Sequence, residues 1–329
     1  MMDWTDRHCR YFLRGLSPRV LLYTEMITSA ALVRGDRARL LEFDPEEHPL
    51  ALQLGGSDPE ELAAAARAGE QAGYDEINLN CGCPSDRVAS GAFGACLMRE
   101  PRRVGECVAA LRAAVQLPVT VKMRIGVVEG RGPQSVAAAA RFDDSDRAAL
   151  FGFVGAVRDA GCHAAIVHAR KAVLGGLSPK DNREVPPLRY DVVRDVKREF
   201  RGLPVILNGG LREAPAVLDA LRSCDGVMLG REAYHRPYLL AELHAAVYPD
   251  VPLPELSRPA LLARMARYAE RRLARGERLS TITRHMLGLC TGQPGAREYR
   301  RLLSEGARVP GADAALLHRA AALLAPSAE

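Results

Sequence analysis

No uninterrupted apolar run of about 18 residues occurs in the chain, so nothing in it reads as a membrane-spanning helix. The opening Met1-Met2-Asp3-Trp4 has neither the pattern of a secretory leader nor that of a transit peptide. Cys81 and Cys83 form a close pair, but no second Cys/His pair stands at ligand spacing, which argues against a metal such as zinc. No G-x-G-x-x-G follows the first apolar run, which argues against a doubly wound dinucleotide-binding sheet. Eight cysteines without a leader read as free thiols in a reducing compartment, and a cytoplasmic location is expected.

The chain does have length and apolar content. Its 329 residues, 48% hydrophobic, suffice for one large α/β domain and a small second one. The net charge of +5 is unevenly placed: from Glu255 to Glu329 there are 13 Arg against 7 Asp and Glu, which leaves the rest nearly neutral. Such a basic C-terminal part fits a polyanionic partner, and it also fits a solvated helix face.

Short β-branched runs alternate with Ala/Arg-rich helical runs. The predicted strands are Val20–Tyr23, Leu50–Leu54, Ile77–Asn80, Pro118–Met123, Ala165–His168, Pro204–Leu207 and Gly226–Leu229. Helices are predicted over Asp58–Ala72, where Asp58-Pro59 is an N-cap followed by a first-turn proline, and over Pro101–Val115. Alternation of this kind implies a parallel sheet. Polar residues gather where each strand stops: Glu25 and Thr28, Gln53, Asn80 and Cys83, Lys122 and Arg124, His168 to Lys171, Asn208-Gly209-Gly210, and Gly230-Arg231. This is the pattern of a (β/α)8 TIM barrel with one shared site at its C-terminal rim.

The stretch Asn78–Val88, Asn-Leu-Asn-Cys-Gly-Cys-Pro-Ser-Asp-Arg-Val, is the most informative. A strand ends at Asn80 and a turn stiffened by Pro84 puts Cys83 at the strand mouth. There Cys83 is placed for catalysis, or it is a buried small hydrophobe like most free cysteines. The two late glycine turns fit a phosphate cradle, with Arg231 as an added partner, and so favour a phosphorylated cofactor. Lys122, flanked by Val121 and Met123, needs an anionic or acceptor partner if it is buried, and an electron-rich cofactor ring would provide one. His168 is either a cofactor contact or a satisfied core histidine.

Together with Asp3–Arg10, Gly91–Met98, Val119–Gly126, His168–Leu188, Ile282–Gly288 and Pro294–Arg301, these residues resemble the tRNA-dihydrouridine synthases, specifically their A-type bacterial subgroup. The resemblance implies a flavin-binding barrel over residues 1–247 and an all-α helical bundle that grips tRNA over residues 255–329. It implies reduction of the C5=C6 bond of D-loop uridines at position 20 and its neighbour 20a. NADPH would reduce FMN, FMN would deliver hydride to C6, and Cys83 would protonate C5. An unperturbed thiol titrates near pH 8.5 and is mostly protonated at neutral pH, the form that a proton donor needs.

Carried over by position, the resemblance assigns FMN contacts to Met1, Met2, Gln53, Lys122, His168, Asn208, Gly209, Gly210, Gly230 and Arg231. It assigns tRNA contacts to Asn80, Lys180, Arg183, Arg297 and Arg300. A monomer without a metal is expected. Competing readings are a flavin barrel acting on a free pyrimidine and a non-catalytic tRNA-binding protein.

Two departures from the family pattern stand out. The family's first strand runs into Ala-Pro-Met before the Asp-Trp-Thr-Asp stretch, whereas Met1 falls inside that element. The first strand is therefore expected to be truncated here, or the true start to lie upstream. The stretch Val127–Asp146 is longer than expected and reads as a surface loop or short helix near the cofactor entrance. In the C-terminal part, four helices are expected over Pro259–Arg275, Thr283–Leu289, Ala296–Leu303 and Ala312–Leu324, after a proline-rich linker at Tyr248–Ser257.

Overall fold

The computed structural model describes residues 1–85, 93–251 and 257–324. Asp86–Val88 of the cysteine motif, Gly91 and Ala92, and the linker residues Pro252, Pro254 and Glu255 lie outside the described residues. Two compact units emerge. One comprises Tyr23–Glu42 and Leu50–Leu229, and the other Met1–Leu22, Phe43–Pro49 and Gly230–Glu329.

The larger unit is built on β1 (Leu22–Tyr23), β2 (Ile27–Thr28), β3 (Leu50–Gly55), β4 (Glu76–Cys81), β5 (Val119–Arg124), β6 (Val127–Glu129), β7 (Ala164–His168), β8 (Ala172–Leu174), β9 (Val205–Asn208) and β10 (Gly226–Met228). The main sheet runs β1-β3-β4-β5-β7-β9-β10, with β2 also on β3. Pairing from β3 to β10 is parallel throughout. This curled parallel sheet with helices between its strands is the α/β barrel expected, and each predicted strand lies within two residues of an observed one.

Register explains which residues face where. Leu52 pairs with Ile77, Leu79 with Val121, and Met123 with Val167, so one face is wholly apolar. The helix Pro59–Ala72 packs there: a Cβ on its Gly69 would fall 2.5 Å from Leu52 and 3.1 Å from Ile77. That helix starts as predicted, with Asp58 accepting from the N–H groups of Glu60 and Glu61, and ends at Gly73 with φ 97°. The other face carries Gln53, Asn78, Asn80, Thr120, Lys122, Arg124, His168 and Asn208. Strict period-2 alternation sends the aliphatic set to the helices and the polar set to the inner face.

Two expectations are corrected. Val127–Asp146 holds the expected short helix but also a strand that was not expected. Val127–Glu129 forms β6, paired in parallel with Ala172–Leu174, and Pro133–Ala140 is a helix. Val127 and Val128 are β-branched, and a strand partner was hidden just past His168 in what read as a rim loop. The expected helix Thr283–Leu289 is instead Leu279–Thr283. Past it the chain tightens into turns, with His285 N–H bonded to Ile282 O and Met286 N–H to Thr283 O. Gly288 lies so close to the His235 carbonyl that a Cβ would sit 2.2 Å from it.

The smaller unit is helical, including Arg7–Arg14, Arg258–Leu273, Ala296–Gly306 and Ala315–Ala322. Arg258–Leu273 packs on Ala315–Ala322. The helix Arg7–Arg14 is anchored by cations: Arg10 Nε lies 2.6 Å from the fully buried Glu47, and Arg14 donates to the carbonyls of Ser17, Glu47 and Pro49. Tyr11 stacks on Tyr268 at 4.0 Å.

Within the larger unit, Asn182 is fully buried and clips a loop to β8. Its Oδ1 accepts from Val173 N–H at 2.7 Å, and its Nδ2 donates to the carbonyls of Val173 and Leu177. Asn182→Ala would strand several backbone groups, each costing about 1–3 kcal/mol. Urea unfolding is expected to show a loss of roughly 2–4 kcal/mol; a loss under about 0.5 kcal/mol would mean that the loop does not depend on this amide.

Candidate active site

The inner face of the sheet is a hydrogen-bonded series leading upward to the thiol. Thr120 Oγ1 donates to Glu76 Oε1 at 2.5 Å, and Tyr23 O–H donates to the same oxygen at 2.9 Å. Asn78 Nδ2 donates to Thr120 Oγ1 at 2.8 Å, Gln53 Nε2 to Asn78 Oδ1 at 2.9 Å, and Asn80 Nδ2 to Gln53 Oε1 at 2.8 Å. Asn80 Oδ1 then accepts from the backbone N–H groups of Gly82 and Cys83, both at 3.0 Å. Burial raises the Glu76 carboxyl above its usual range, against the pull of the Thr120 and Tyr23 hydroxyls.

Asn80 therefore acts on Cys83 through the backbone: its buried amide shapes the turn that presents the half-buried thiol. The turn is held from the other side too. Ala95 N–H donates to the Cys83 carbonyl at 2.9 Å, and Arg124 Nε to the Gly82 carbonyl at 3.0 Å. The rest of the buried Arg124 guanidinium reaches the carbonyls of Lys171 and Asn182. Arg124 is thus a hub that the sequence showed only as a strand-end charge.

Lys122 pairs in register with Asn80. Its ammonium finds no hydrogen-bond acceptor among the described residues. Burial, reinforced by the like charge of Arg124 and opposed by Cys83, pushes it down to about 8. One step along, Arg124 pairs with His168, and His168 with Asn208. Asn208 Nδ2 donates to Met228 O at 2.8 Å. Gly209 and Gly210 follow with φ of 113° and 72°. Only glycine fits there: a Cβ on Gly209 would lie 2.6 Å from the His168 ring, and one on Gly210 2.3 Å from Leu188. Tyr190 O–H closes the turn on Gly209 O at 2.7 Å.

The larger unit thus brings Gln53, Asn80, Cys83, Lys122, His168, Asn208, Gly209 and Gly210 to one sheet face and the rim that continues it. Lys180 is exposed and Arg183 half-buried on the loop that Asn182 clips. In the smaller unit Met1 lies beside Gly230, Met2 is exposed, and Arg231 opens the helix Arg231–His235. Arg297 and Arg300 stand exposed on Ala296–Gly306, while Tyr299 and Leu303 face inward. Sequence reasoning missed Glu76, Asn78 and Thr120, although the period-2 polar residues within β4 and β5 were a usable signal.

A parallel α/β barrel sheet with a rim thiol, a lysine without an acceptor among the described residues and a glycine cradle defines a barrel enzyme. Comparison with known proteins gives the family. The dihydrouridine synthase (Dus) profile matches residues 1–324. A tRNA-dihydrouridine(20/20a) synthase of Xanthomonas axonopodis pv. citri is 56% identical over 97% of this chain and 91% of its own length. Proteins of the same name from Pseudomonas aeruginosa and Synechocystis sp. are 55% and 50% identical, covering 92% and 97% of this chain and 87% and 91% of their own. The chain belongs to the dihydrouridine synthase family. Dihydrouridine is uridine with two hydrogens added across C5=C6, so the chain is an oxidoreductase.

The Lys122 ammonium makes a pH prediction. Folded, it loses its proton near pH 8; unfolded, near pH 10.4. Between these values the unfolded chain binds more protons, so stability rises with pH. In protein freed of bound small molecules, Lys122→Met is expected to add about 1–2 kcal/mol at pH 7, after discounting for solvent access, and to abolish the rise between pH 8 and 10. Urea unfolding across that range checks this; a wild type with flat stability would mean a solvated lysine.

Proposed function

We propose that the protein is an FMN-dependent tRNA-dihydrouridine synthase that reduces D-loop uridines at positions 20 and 20a with electrons from NADPH. The observation that carries this reading is Cys83, held on its rim turn by Asn80 and Arg124 beside an ammonium that finds no acceptor among the described residues.

The residues fit FMN. Lys122 offers a cation to an electron-rich ring edge. Gly209 and Gly210, with side chains sterically excluded, leave backbone N–H groups open to a phosphate, and His168 lies against them. Gln53 has one amide N–H left after its bonds to Asn78 and Asn80. We assign Gly230, Arg231, Met1 and Met2 to the same cofactor. When bound, reduced FMN supplies a hydride equivalent to C6 of the uracil.

Cys83 supplies the proton to C5. Its role is placement: the two N–H groups fixed by Asn80 and the carbonyl fixed by Ala95 leave the side chain little freedom to leave the rim. Lys122 and Arg124 keep positive charge beside the reacting ring, which favours the electron-rich form that accepts the proton.

A uridine must leave its stack to reach this rim, so the RNA needs a grip elsewhere. We assign flavin binding to residues 1–247 and the grip to 255–329, with Arg297 and Arg300 on phosphates and Lys180 and Arg183 near the target loop. A reductase of a free pyrimidine would need neither arginine. We place the enzyme in the cytoplasm, working as a monomer and without a metal.

The test compares wild type with Cys83→Ala. Both are expected to carry the flavin absorbance spectrum. With NADPH and unmodified tRNA, the wild type should form dihydrouridine and the variant should be slower by about 100-fold or more. A fully active Cys83→Ala overturns the thiol as proton donor, and a colourless wild type overturns the flavin.

A further inference from the structure

We infer that the helical unit contains a receptor for one RNA backbone phosphate and its sugar, centred on Arg308 and distinct from Arg297 and Arg300. The inference rests on the tRNA reading above and deepens it.

The site is a cleft of about 260 Å³ lined by Ser280, Thr281, Thr283, Arg284, Ser304 and Arg308, with Leu287 and Leu303 as its apolar part. No carboxylate is among its described lining residues. Arg284 is already committed, with its guanidinium 2.7 Å from Asp6. Arg308 is exposed and makes no ion pair or side-chain hydrogen bond among the described residues. The cleft therefore offers one unspent charge near the half-buried Ser280 hydroxyl, while the hydroxyls of Thr281 and Ser304 already donate to the carbonyls of Arg278 and Arg301. This matches a phosphodiester, which carries one negative charge and several acceptor oxygens. The half-buried Leu287 suits the apolar face of a ribose, Leu303 being fully buried, and the volume admits a sugar-phosphate.

Sequence spacing connects the cleft to the exposed arginines. Arg297, Arg300 and Arg301, Ser304 and Arg308 recur every three to four residues along and just past the helix Ala296–Gly306. The opposite stripe, Tyr299 and Leu303, is fully buried. An RNA strand tracking the arginine stripe arrives at Ser304 and then at Arg308.

The experiment measures tRNA affinity between 50 and 300 mM salt for the full-length wild type and three variants. Arg308→Ala removes the charge. Ser304→Leu closes the cleft and changes no charge. Arg319→Ala removes an exposed charge outside the cleft. Arg308→Ala and Ser304→Leu are each expected to weaken binding about tenfold at 50 mM salt and to lower the slope of log K against log salt by roughly one. Arg319→Ala should leave the slope unchanged, and flavin absorbance should be the same in all four proteins. If Ser304→Leu binds like wild type, or if Arg319→Ala matches Arg308→Ala, the cleft is not a phosphate site. A wild type that binds no tRNA overturns the RNA reading and this site with it.

Discussion

The constraint on which the larger unit depends is that its inner sheet face is polar and buried, so every donor there needs an acceptor. Amides and hydroxyls buried without partners cost about 1–3 kcal/mol each, and six such side chains left unpaired would cancel the stability of an ordinary domain. The chain meets this with a single directional series from Glu76 through Thr120, Asn78 and Gln53 to Asn80. Because each amide donates to the one below it, Asn80 Oδ1 is oriented upward and must accept from the rim. It does so from the N–H groups of Gly82 and Cys83. The position of the thiol is thus a consequence of satisfying the interior.

The same logic makes the rim cationic. Lys122 and Arg124 continue the inner face of β5, and Arg170 and Arg183 add to the field at Arg124. The buried Lys171, just past β7, has a carboxylate of its own, Asp146 at 2.5 Å. Arg124 spends its donors on backbone carbonyls, which organise it without cancelling its charge. Among the described residues, no carboxylate pairs with Lys122 or Arg124, so this part of the rim keeps its positive charge. That arrangement costs stability in isolation and suits anions that arrive: a cofactor phosphate, a reduced ring, an RNA backbone.

The strands were legible because each apolar run stops at a polar or glycine residue, and the register followed from alternation. Cys83 was legible because Pro84 and the flanking turn leave few places for the thiol to go. Gly209 and Gly210 were legible as a turn, while their cause, the approach of His168 and Leu188, depends on side chains from other segments. Glu76 and Thr120 were missed despite their period-2 spacing: a polar residue in a strand looks solvent-facing until register places it inward. Arg124 looked like a terminal charge for the same reason, since its three carbonyl partners come from residues 82, 171 and 182.

The stretch Val127–Asp146 shows how a long connection between two strands can be carried by a site without disturbing it. Lengthening a loop costs little, about 0.6 kcal/mol per doubling. What it must avoid is a free strand edge, and β6 avoids one by pairing with β8. Val127 packs against Ala95, Ala172 and Leu174, and Glu129 pairs with Arg99, so the stretch rests on the segment whose Ala95 N–H holds the Cys83 carbonyl. At its far end Asp146 does two jobs: its carboxylate closes the capping box that starts the helix Asp144–Asp159, and it pairs with Lys171 beyond the end of β7. Both ends of the stretch are therefore tied to elements that the thiol turn already needs. It adds mass at the rim while reinforcing the supports on either side of Cys83.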